Sequence, residues 1–259
     1  MQTNRVLATT TVARPRPEEC ATARCIATEM GCPYWPRDEL TETCADLDGL
    51  LVVERENLAL WIAGRRFCYH PNMAKLRVCA LRQQRKDALI EALKIAPGAS
   101  VLDCTCGLGA DAIVASYVAG PEGRVRALEA APLLALLVER GMASYPIADD
   151  LDLGLAMRRV EVCHADFATY LQEEADAAWD VVYFDPMFGE SIAHARGLDL
   201  VRYLARPGGP APADLDEARR VARRRVVMKD RRPGRTLARL GFAKVEKSRR
   251  VCYGVLPAW

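Results

Sequence analysis

The sequence has no long hydrophobic run and almost no net charge, and both absences restrict the class of protein. Apolar stretches such as residues 132–138 are far shorter than the ~20 residues of a membrane-spanning helix. The 36 Lys and Arg residues nearly balance 34 Asp and Glu residues, for a formal charge of +2. No overall field therefore attracts polyanions, although a local basic patch is compatible with this balance. With 51% hydrophobic residues, the chain is expected to fold as an ordinary globular protein.

The sequence also lacks the cysteine and histidine patterns of metal sites and small disulfide frameworks. Among the ten cysteines, Cys20, Cys25, Cys32 and Cys44 are spread without a C-x-x-C pair, and the three histidines lie apart from them. Zinc sites use ligands at close spacing, so no metal site is expected. The first residues are polar and show no signal peptide, which favours a reducing compartment, the cytoplasm.

Local patterns predict a small α/β appendage over residues 1–70. A strand is expected at residues 6–11, a helix at 18–30 that ends at Gly31, and two more strands at 49–53 and 57–62. Residues 71–98 form a predicted connecting segment, with one helix over residues 73–93 that ends at Pro97 and Gly98.

From residue 99 to residue 259, short strands alternate with helices. Strands are expected at residues 101–103, 124–129, 160–163, 180–185 and 225–229, and an antiparallel edge pair at 242–246 and 250–256. The alternation predicts a Rossmann-like, doubly wound sheet of seven mostly parallel strands. Ligands of such sheets bind at the carboxyl ends of the strands. Asp103, Glu129, Asp166 and Asp185 all fall there.

The first of these strand ends leads into a glycine-rich turn, Asp-Cys-Thr-Cys-Gly-Leu-Gly at residues 103–109. Gly107 and Gly109 allow the backbone to turn tightly and to approach a ligand. A dinucleotide fingerprint would place a third glycine where Ala112 stands, and the Asp103 carboxylate would repel a pyrophosphate but suit the ammonium of an amino acid. The turn therefore favours S-adenosylmethionine over NAD. A plain strand-to-helix turn is the alternative interpretation.

Two further strand ends carry acids suited to such a cofactor. Glu129 lies 26 residues after Asp103, close to the spacing that places an acid on ribose hydroxyls. Both S-adenosylmethionine and NAD contain that ribose, so Glu129 does not distinguish between them. The alternative is that Glu129 is a solvated carboxylate at the end of a strand. Asp166 ends the third strand, where it could accept a hydrogen bond from an adenine amine.

The fourth strand ends in Asp185-Pro186-Met187-Phe188, a pattern typical of enzymes that methylate amines. An exocyclic base amine is a poor nucleophile because its lone pair is delocalised into the ring. The site must therefore accept hydrogen bonds from the amine and align it. Asp185 and the carbonyl of Pro186 suit this task, and Phe188 could stack on an unstacked base. An Asp-capped turn with a core Phe is the alternative.

Together, residues 101–112, 183–188 and 222–229 resemble the class I S-adenosylmethionine-dependent methyltransferases, most closely the family that methylates guanine N2 of small-subunit ribosomal RNA (RsmJ type). The resemblance covers residues 89–229, and Met187 is the residue that specifically indicates this family among the amine methyltransferases. The segments after Phe188 and at residues 70–77 depart from the family pattern, which leaves the cofactor better supported than the RNA target.

The resemblance and the motifs together imply three sets of residues. Catalysis is predicted for Asp185, Pro186 and Phe188. The predicted cofactor ligands are Asp103, Gly107, Gly109, Ala110, Asp111, Glu129, Ala130, Ala165, Asp166 and Asp185. The predicted substrate ligands are His70, Asn72, Lys75, Arg77, Met187, Lys229, Arg231 and Arg232. Ribosomal RNA or the small ribosomal subunit is the implied partner, no membrane or metal is expected, and the oligomeric state stays open.

A long connection after Phe188 is expected to act as a lid over the target base. Nine basic residues from Arg219 to Arg235 form a predicted cluster that either contacts RNA phosphates or is a solvated surface. Two other functions remain open: a Rossmann oxidoreductase that uses NAD(P), and a non-catalytic RNA-binding relative. Adenine N6 and protein amines are alternative methyl acceptors.

Overall fold

The computed structural model describes residues 7–40, 47–55, 57–62, 64–146, 148, 150–186, 204, 208–247 and 250–259. These residues divide into two compact units. The first contains the chain up to His70 together with Arg140–Tyr145, and the second contains the remainder. Residues 71–98 thus belong to the second unit. The predicted roles of the three segments stay predictions.

The first unit contains a four-stranded sheet and one long helix. Its elements are β1 (Leu7–Thr11), α1 (Pro17–Met30), β2 (Gly49–Val53), β3 (Leu58–Ile62) and β4 (Arg65–Cys68). The strands lie in the order β1-β2-β3-β4, with β1 and β2 parallel and the other pairs antiparallel. Helix α1 ends at Gly31, whose φ of 61° is a left-handed cap conformation that glycine adopts without a steric cost.

The second unit contains eight helices and seven strands among the described residues, counting α5, whose last residues group with the first unit. The helices are α2 (Met73–Arg82), α3 (Ala88–Leu93), α4 (Ala110–Ala119), α5 (Pro132–Ser144), α6 (Leu151–Arg159), α7 (Phe167–Glu173), α8 (Pro212–Val221) and α9 (Arg235–Arg239). The strands are β5 (Ser100–Asp103), β6 (Arg124–Glu129), β7 (Val160–His164), β8 (Trp179–Phe184), β9 (Ala222–Arg231), β10 (Ala243–Lys247) and β11 (Val251–Pro257).

The seven strands form one sheet in the order β10-β11-β9-β8-β5-β6-β7, which confirms the predicted Rossmann-like fold. From β9 to β7 all neighbours are parallel. Strand β11 is antiparallel to both β9 and β10, so the reversed strand lies second from the edge. Strands β5 and β8 are central and adjacent, which brings the ends of both predicted motifs together.

The single helix predicted over residues 73–93 is wrong, because the structure breaks it into α2 and α3. The break contains Gln84, whose φ of 56° is outside the helical region. Asp87 then caps the new helix by accepting hydrogen bonds from the backbone N–H groups of Leu89 and Ile90. Leucine spacing continues through the break, so periodicity alone did not reveal it.

Large side chains on both sides of the central strands form the core of the second unit. Trp179, Tyr183 and Phe184 of β8 are essentially fully buried, and Phe167 packs edge-to-face on Phe184. Within the described residues, no helix is long and apolar enough to cross a membrane. The same residues contain no group of three or more His, Cys, Asp or Glu side chains that could hold a metal ion.

Candidate active site

The glycine-rich turn between β5 and α4 forms the floor of the candidate site. Gly107 and Gly109 have φ angles of 54° and 73°, and Gly109 is the residue before the first turn of α4. Both conformations are strained for residues with a Cβ. A Cβ added to Gly107 would meet nothing within 4 Å, so the turn faces open space. The turn thus has the room that a ligand needs to approach the backbone and the N-terminus of α4, which includes Ala110.

Glu129 connects the end of β6 to this turn. Its Oε2 accepts a hydrogen bond of 3.0 Å from the N–H of Gly107, and its Oε1 accepts one of 2.9 Å from the N–H of Ala131. Burial raises the pKa of this carboxyl, while the backbone N–H groups of Ala131, Gly107 and Ala130 oppose the rise. A carboxylate can accept about four hydrogen bonds, so acceptor capacity remains for a ligand. The carboxylate is therefore fixed in position beside the turn, next to Ala130, and can accept ligand hydroxyls.

Asp103, at the end of β5, is buried with only 1% of its surface exposed. Its Oδ1 accepts a hydrogen bond of 3.0 Å from the N–H of Thr105. Burial raises the pKa of this carboxyl to about 8, with further raising from Asp111 and Asp185. The Thr105 hydrogen bond and Lys229 act in the opposite direction. Without a ligand cation, Asp103 is thus largely neutral at pH 7.

Asp185 follows β8 directly and is fixed at two points. Its backbone N–H donates to the hydroxyl of Thr105 at 2.6 Å, and its Oδ2 lies 2.6 Å from Nζ of Lys229. The pKa of Asp185 is raised above its usual value by burial and by Asp111, although contact with Lys229 opposes the rise. Pro186, the next residue, is buried. The carboxylate is therefore held at the carboxyl edge of the sheet, beside the glycine turn.

Asp111 connects Lys229 to a second cation. Its Oδ2 accepts hydrogen bonds from Nζ of Lys229 at 3.1 Å and from the hydroxyl of Tyr183 at 2.8 Å. Its Oδ1 pairs with Arg77 of α2, which also donates two hydrogen bonds of 2.7 and 2.8 Å to Asp87. Lys229 and Arg77 hold the pKa of Asp111 well below its usual range. The Asp111 side chain is thus part of an ion network.

Two other predicted cofactor ligands lie where β7 ends. Asp166 caps α7, because its Oδ1 accepts a hydrogen bond of 3.0 Å from the N–H of Ala168. The N–H of Ala165 donates to the carbonyl of Glu129 at 3.1 Å, which holds the ends of β6 and β7 together. Cofactor contact by Ala165 and Asp166 stays a prediction.

The predicted substrate ligands fall into several environments. Arg77 and Lys229 lie in the ion network, with side chains only 19% and 21% exposed. Arg231, Arg232 and Lys75 are exposed. His70, in the first unit, is exposed and its ring meets Tyr145 edge-to-face. The half-buried Asn72 precedes α2. Met187, Phe188 and the predicted lid lie outside the described residues.

The basic residues predicted as one cluster lie at opposite ends of β9. The strand spans ten residues, Ala222–Arg231, so at ~3.3 Å per residue its ends lie about 30 Å apart. Lys229 and Arg231 occupy its carboxyl end, the same edge as Asp185. The first arginines of the cluster occupy the other end and cannot share a surface with the site.

The arginines at the far end bond to their own surroundings. The guanidinium of Arg219 lies 3.4 Å from the ring centre of Trp259. Arg220 pairs with Glu217 at 2.7 Å. Arg223 donates to the carbonyl of Ala177 at 2.6 Å. These contacts fit the alternative in which this part of the cluster is structural surface.

The sequence pattern missed Thr105 and Tyr183 as site residues. Thr105 connects the turn to Asp185, and the Tyr183 hydroxyl donates to Asp111. A strand tyrosine looks like a core residue, and only the alternation of side chains along β8 could have placed Tyr183 on the face shared with Asp185. Cys104 and Cys106 are buried, and burial raises the pKa of both thiols well above the usual value. They are packing residues, as predicted.

Comparisons with known proteins agree with this geometry. The sequence model of the family described as "Putative SAM-dependent methyltransferase" matches residues 52–255. An uncharacterized protein of Bacillus subtilis, YpiP, is 35% identical over 253 residues, which cover 95% of this chain and 98% of that protein. A SAM-dependent methyltransferase from Neisseria gonorrhoeae, NGO1261, shares the fold with a TM-score of 0.63, at 18% identity and with 97% and 96% of the two chains covered.

Matches to RNA-modifying relatives cover less of the chain. The ribosomal RNA small subunit methyltransferase J of Cellvibrio japonicus is 32% identical over 180 residues, 65% of this chain and 66% of that protein. The corresponding protein of Nitrosococcus oceani is 36% identical over 142 residues, 53% and 54% of the two chains. The chain thus spans about half to two thirds of these relatives. On the family match, which covers more than half of the chain, the chain belongs to the S-adenosyl-L-methionine-dependent methyltransferases, and its cofactor is S-adenosyl-L-methionine.

Proposed function

We propose that the protein transfers a methyl group to N2 of a guanine in small-subunit ribosomal RNA. The observation that carries the choice of base is the state of Asp185: a carboxylate paired on Oδ2 with Lys229, with Oδ1 free of donors among the described residues. A carboxylate only accepts hydrogen bonds. The Watson–Crick edge of guanine offers donors at N1 and N2, whereas adenine offers a donor at N6 beside an acceptor at N1. Oδ1 of Asp185 can therefore accept the exocyclic N–H of either base, and the second donor at N1 favours guanine.

The residues of the turn fit the cofactor. Open space above Gly107 leaves room for its backbone approach, and the buried Glu129 carboxylate has lone pairs for the ribose hydroxyls. Asp103 supplies a carboxyl for the amino-acid ammonium, and Asp166 an acceptor for the adenine amine. When bound, the cofactor supplies a sulfonium methyl group, to which nitrogen bonds as the S–C bond breaks and its electron pair returns to sulfur.

The protein's own part in the reaction is to position the amine. Asp185 and the carbonyl of Pro186 accept hydrogen bonds from the exocyclic N–H groups, which turns the nitrogen lone pair toward the methyl carbon. After transfer, the nitrogen releases one proton to solvent water. Phe188, two residues after Pro186 in the sequence, is predicted to stack on the base. No covalent enzyme intermediate is needed.

Ribosomal RNA is supported by the relatives named ribosomal RNA small subunit methyltransferase J and by exposed cations near the site. Beyond Lys229, at the edge where Asp185 lies, Arg231 ends β9 and Arg232 follows it, and Arg235 begins α9. Exposed arginines at this position suit RNA phosphates. We also propose that residues 1–70 contribute to RNA recognition and that the protein acts in the cytoplasm.

The proposal is tested by mass-spectrometric mapping of ribosomal RNA from cells with and without the gene. We expect one N2-methylguanine of the small subunit to disappear in the deletion strain and to return with the wild-type gene. In vitro, Asp185→Asn should lower methyl transfer ~100-fold or more, because a preorganised acceptor is lost. Asp176→Asn, an exposed aspartate that pairs with Arg220, is the matched control and should be fully active. An unchanged methylation map would refute the proposed substrate.

A further inference from the structure

The ion network around Lys229 contains more carboxylates than cations. Asp185, Asp111 and Asp87 are joined through Lys229 and Arg77, and the buried Asp103 lies close enough for Asp185 to raise its pKa. Removing such groups from water is costly unless each charge is paired. Each cation here contacts two carboxylates, so the loss of either cation would leave negative charge unpaired beside the reacting amine.

Lys229 determines how Asp185 faces the site. Its Nζ lies 2.6 Å from Oδ2 of Asp185 and 3.1 Å from Oδ2 of Asp111, so the ammonium bridges the two side chains. The backbone of Asp185 is held separately by Thr105. With one oxygen and the backbone fixed, only Oδ1 is left to meet a substrate N–H among the described contacts. Asp185 is the more exposed partner, at 37% of its side chain, and so faces the ligand side.

Arg77 in turn determines how Asp111 meets Lys229. It occupies Oδ1 of Asp111, which leaves Oδ2 to Lys229 and Tyr183. Arg77 is itself fixed by two hydrogen bonds to Asp87, the residue that caps α3. Arg77 thus ties α2 to the start of α3 and to the N-terminus of α4. Both ionic partners of Arg77, Asp87 and Asp111, lie in the second unit.

We propose that Lys229 and Arg77 are positioning residues for methyl transfer rather than RNA contacts: Lys229 holds Asp185 as an ionised acceptor aimed at the target amine, and Arg77 fixes Lys229 through Asp111. This inference rests on the proposed function of Asp185. It assigns to the network the task of keeping the Asp185 carboxylate charged, which its role as an acceptor for the target amine requires.

The first test follows the titration of Asp185 directly and does not depend on activity. Carbon-13 NMR of aspartate-labelled protein, with Asp185→Asn for assignment, would follow the carboxyl carbon from pH 4 to pH 9. The charged or titratable groups acting on Asp185 are Lys229 on β9, Arg77 on α2, Asp111 on α4, Asp103 on β5, Tyr183 on β8 and Tyr253 on β11. Only Lys229 and Arg77 are cations in this set.

Lys229→Met should raise the apparent pKa of Asp185 by ~1–3 pH units, because an opposite charge in direct contact is lost. Arg77→Met should raise it less, and Lys229→Arg should restore most of the wild-type titration. Arg82→Met is the matched control: Arg82 lies on the same helix but pairs with Asp150, so its loss should leave Asp185 unchanged. An Asp185 titration that is the same in Lys229→Met as in wild type would overturn the proposal.

The second test uses methyl transfer. In Lys229→Met the acidic limb of kcat should move to higher pH, with KM for S-adenosylmethionine nearly unchanged. The double variant Asp111→Asn, Lys229→Met should move it back part of the way, since Asp111 also raises the pKa of Asp185. Two results for Lys229→Met would contradict the proposed positioning role: a fall in kcat that is the same at every pH, or weaker RNA binding while Asp185 titrates as in wild type. If wild type methylates no guanine but the NMR shifts occur, the proposed substrate fails and the electrostatic role of Lys229 stands.

Discussion

Wild type should lose stability as the pH rises, and replacement of Asp103 by asparagine should remove this loss. The stability of the variant minus that of wild type should therefore increase with pH. The carboxyl is buried at the end of β5, and its pKa is raised to about 8 from 3.8. Between these values the folded protein holds a proton that the unfolded chain releases. Unfolding is therefore favoured by rising pH, and wild type loses stability through this window. Asparagine has the same shape, keeps an acceptor for Thr105 and has no proton to release.

The size of the effect follows from the width of this window. One group that is protonated only in the folded state changes the free energy of unfolding by more than 1 kcal/mol per pH unit. The difference between Asp103→Asn and wild type should thus grow by about 3 kcal/mol from pH 5 to pH 7. Other titrating groups occur in both proteins and cancel in the difference. Urea unfolding at pH 5, 6 and 7, followed by circular dichroism, measures it.

A stability difference that does not change with pH would refute this reasoning, because it would show that Asp103 is already ionised in the folded protein. The cofactor gives a second check. Its ammonium should favour the ionised carboxylate, so binding at pH 7 should release close to one proton in wild type and markedly fewer in Asp103→Asn. Calorimetry in buffers of different ionisation enthalpy reports that number.

Two other predictions concern the cofactor and the RNA. Glu129→Ala should weaken S-adenosylmethionine binding by ~1–3 kcal/mol, because the hydrogen bonds to buried hydroxyls are lost. Unchanged affinity in calorimetry would contradict this placement. Replacing Arg231 and Arg232 together by glutamine should lower RNA affinity and reduce the salt dependence of log Kd by about 2, whereas the same change at Arg219 and Arg223 should alter neither. Equal effects of the two pairs in filter binding would refute the division of the basic residues between two ends of β9.

The carboxyl edge of the sheet could be predicted because it depends on local patterns. Each buried run that ends in an acid marks a strand end, and parallel strands place those ends at one edge. Asp103, Glu129 and Asp185 therefore lie together as expected, and the glycine turn and the fold were predicted correctly. These features can be predicted without knowing which residues far apart in sequence are in contact.

The ion network could not be predicted, because it joins residues far apart in sequence. Arg77 meets Asp111 across 34 residues, and Lys229 meets Asp111 across 118. Lys229 lies in a basic stretch of sequence, which suggests that it binds a polyanion. Its contacts with the carboxylates of Asp111 and Asp185 are visible only in the three-dimensional structure. For the same reason the run from Arg219 to Arg235 looked like one surface. Strand β9 is ten residues long, so the basic residues before it and those after it lie at opposite ends of the strand.

The burial of Cys104 and Cys106 has a practical consequence for solution studies. Because both thiols are shielded and their pKa values are raised, the cofactor turn should resist oxidation and alkylation at neutral pH. Cys25 on α1 and Cys79 on α2 are exposed free thiols instead. Among the nine cysteines that the structure describes, a maleimide dye would therefore attach preferentially at these two, one in each compact unit. The native protein thus already carries attachment sites for fluorescence measurements of RNA binding, without any cysteine being added near the glycine turn.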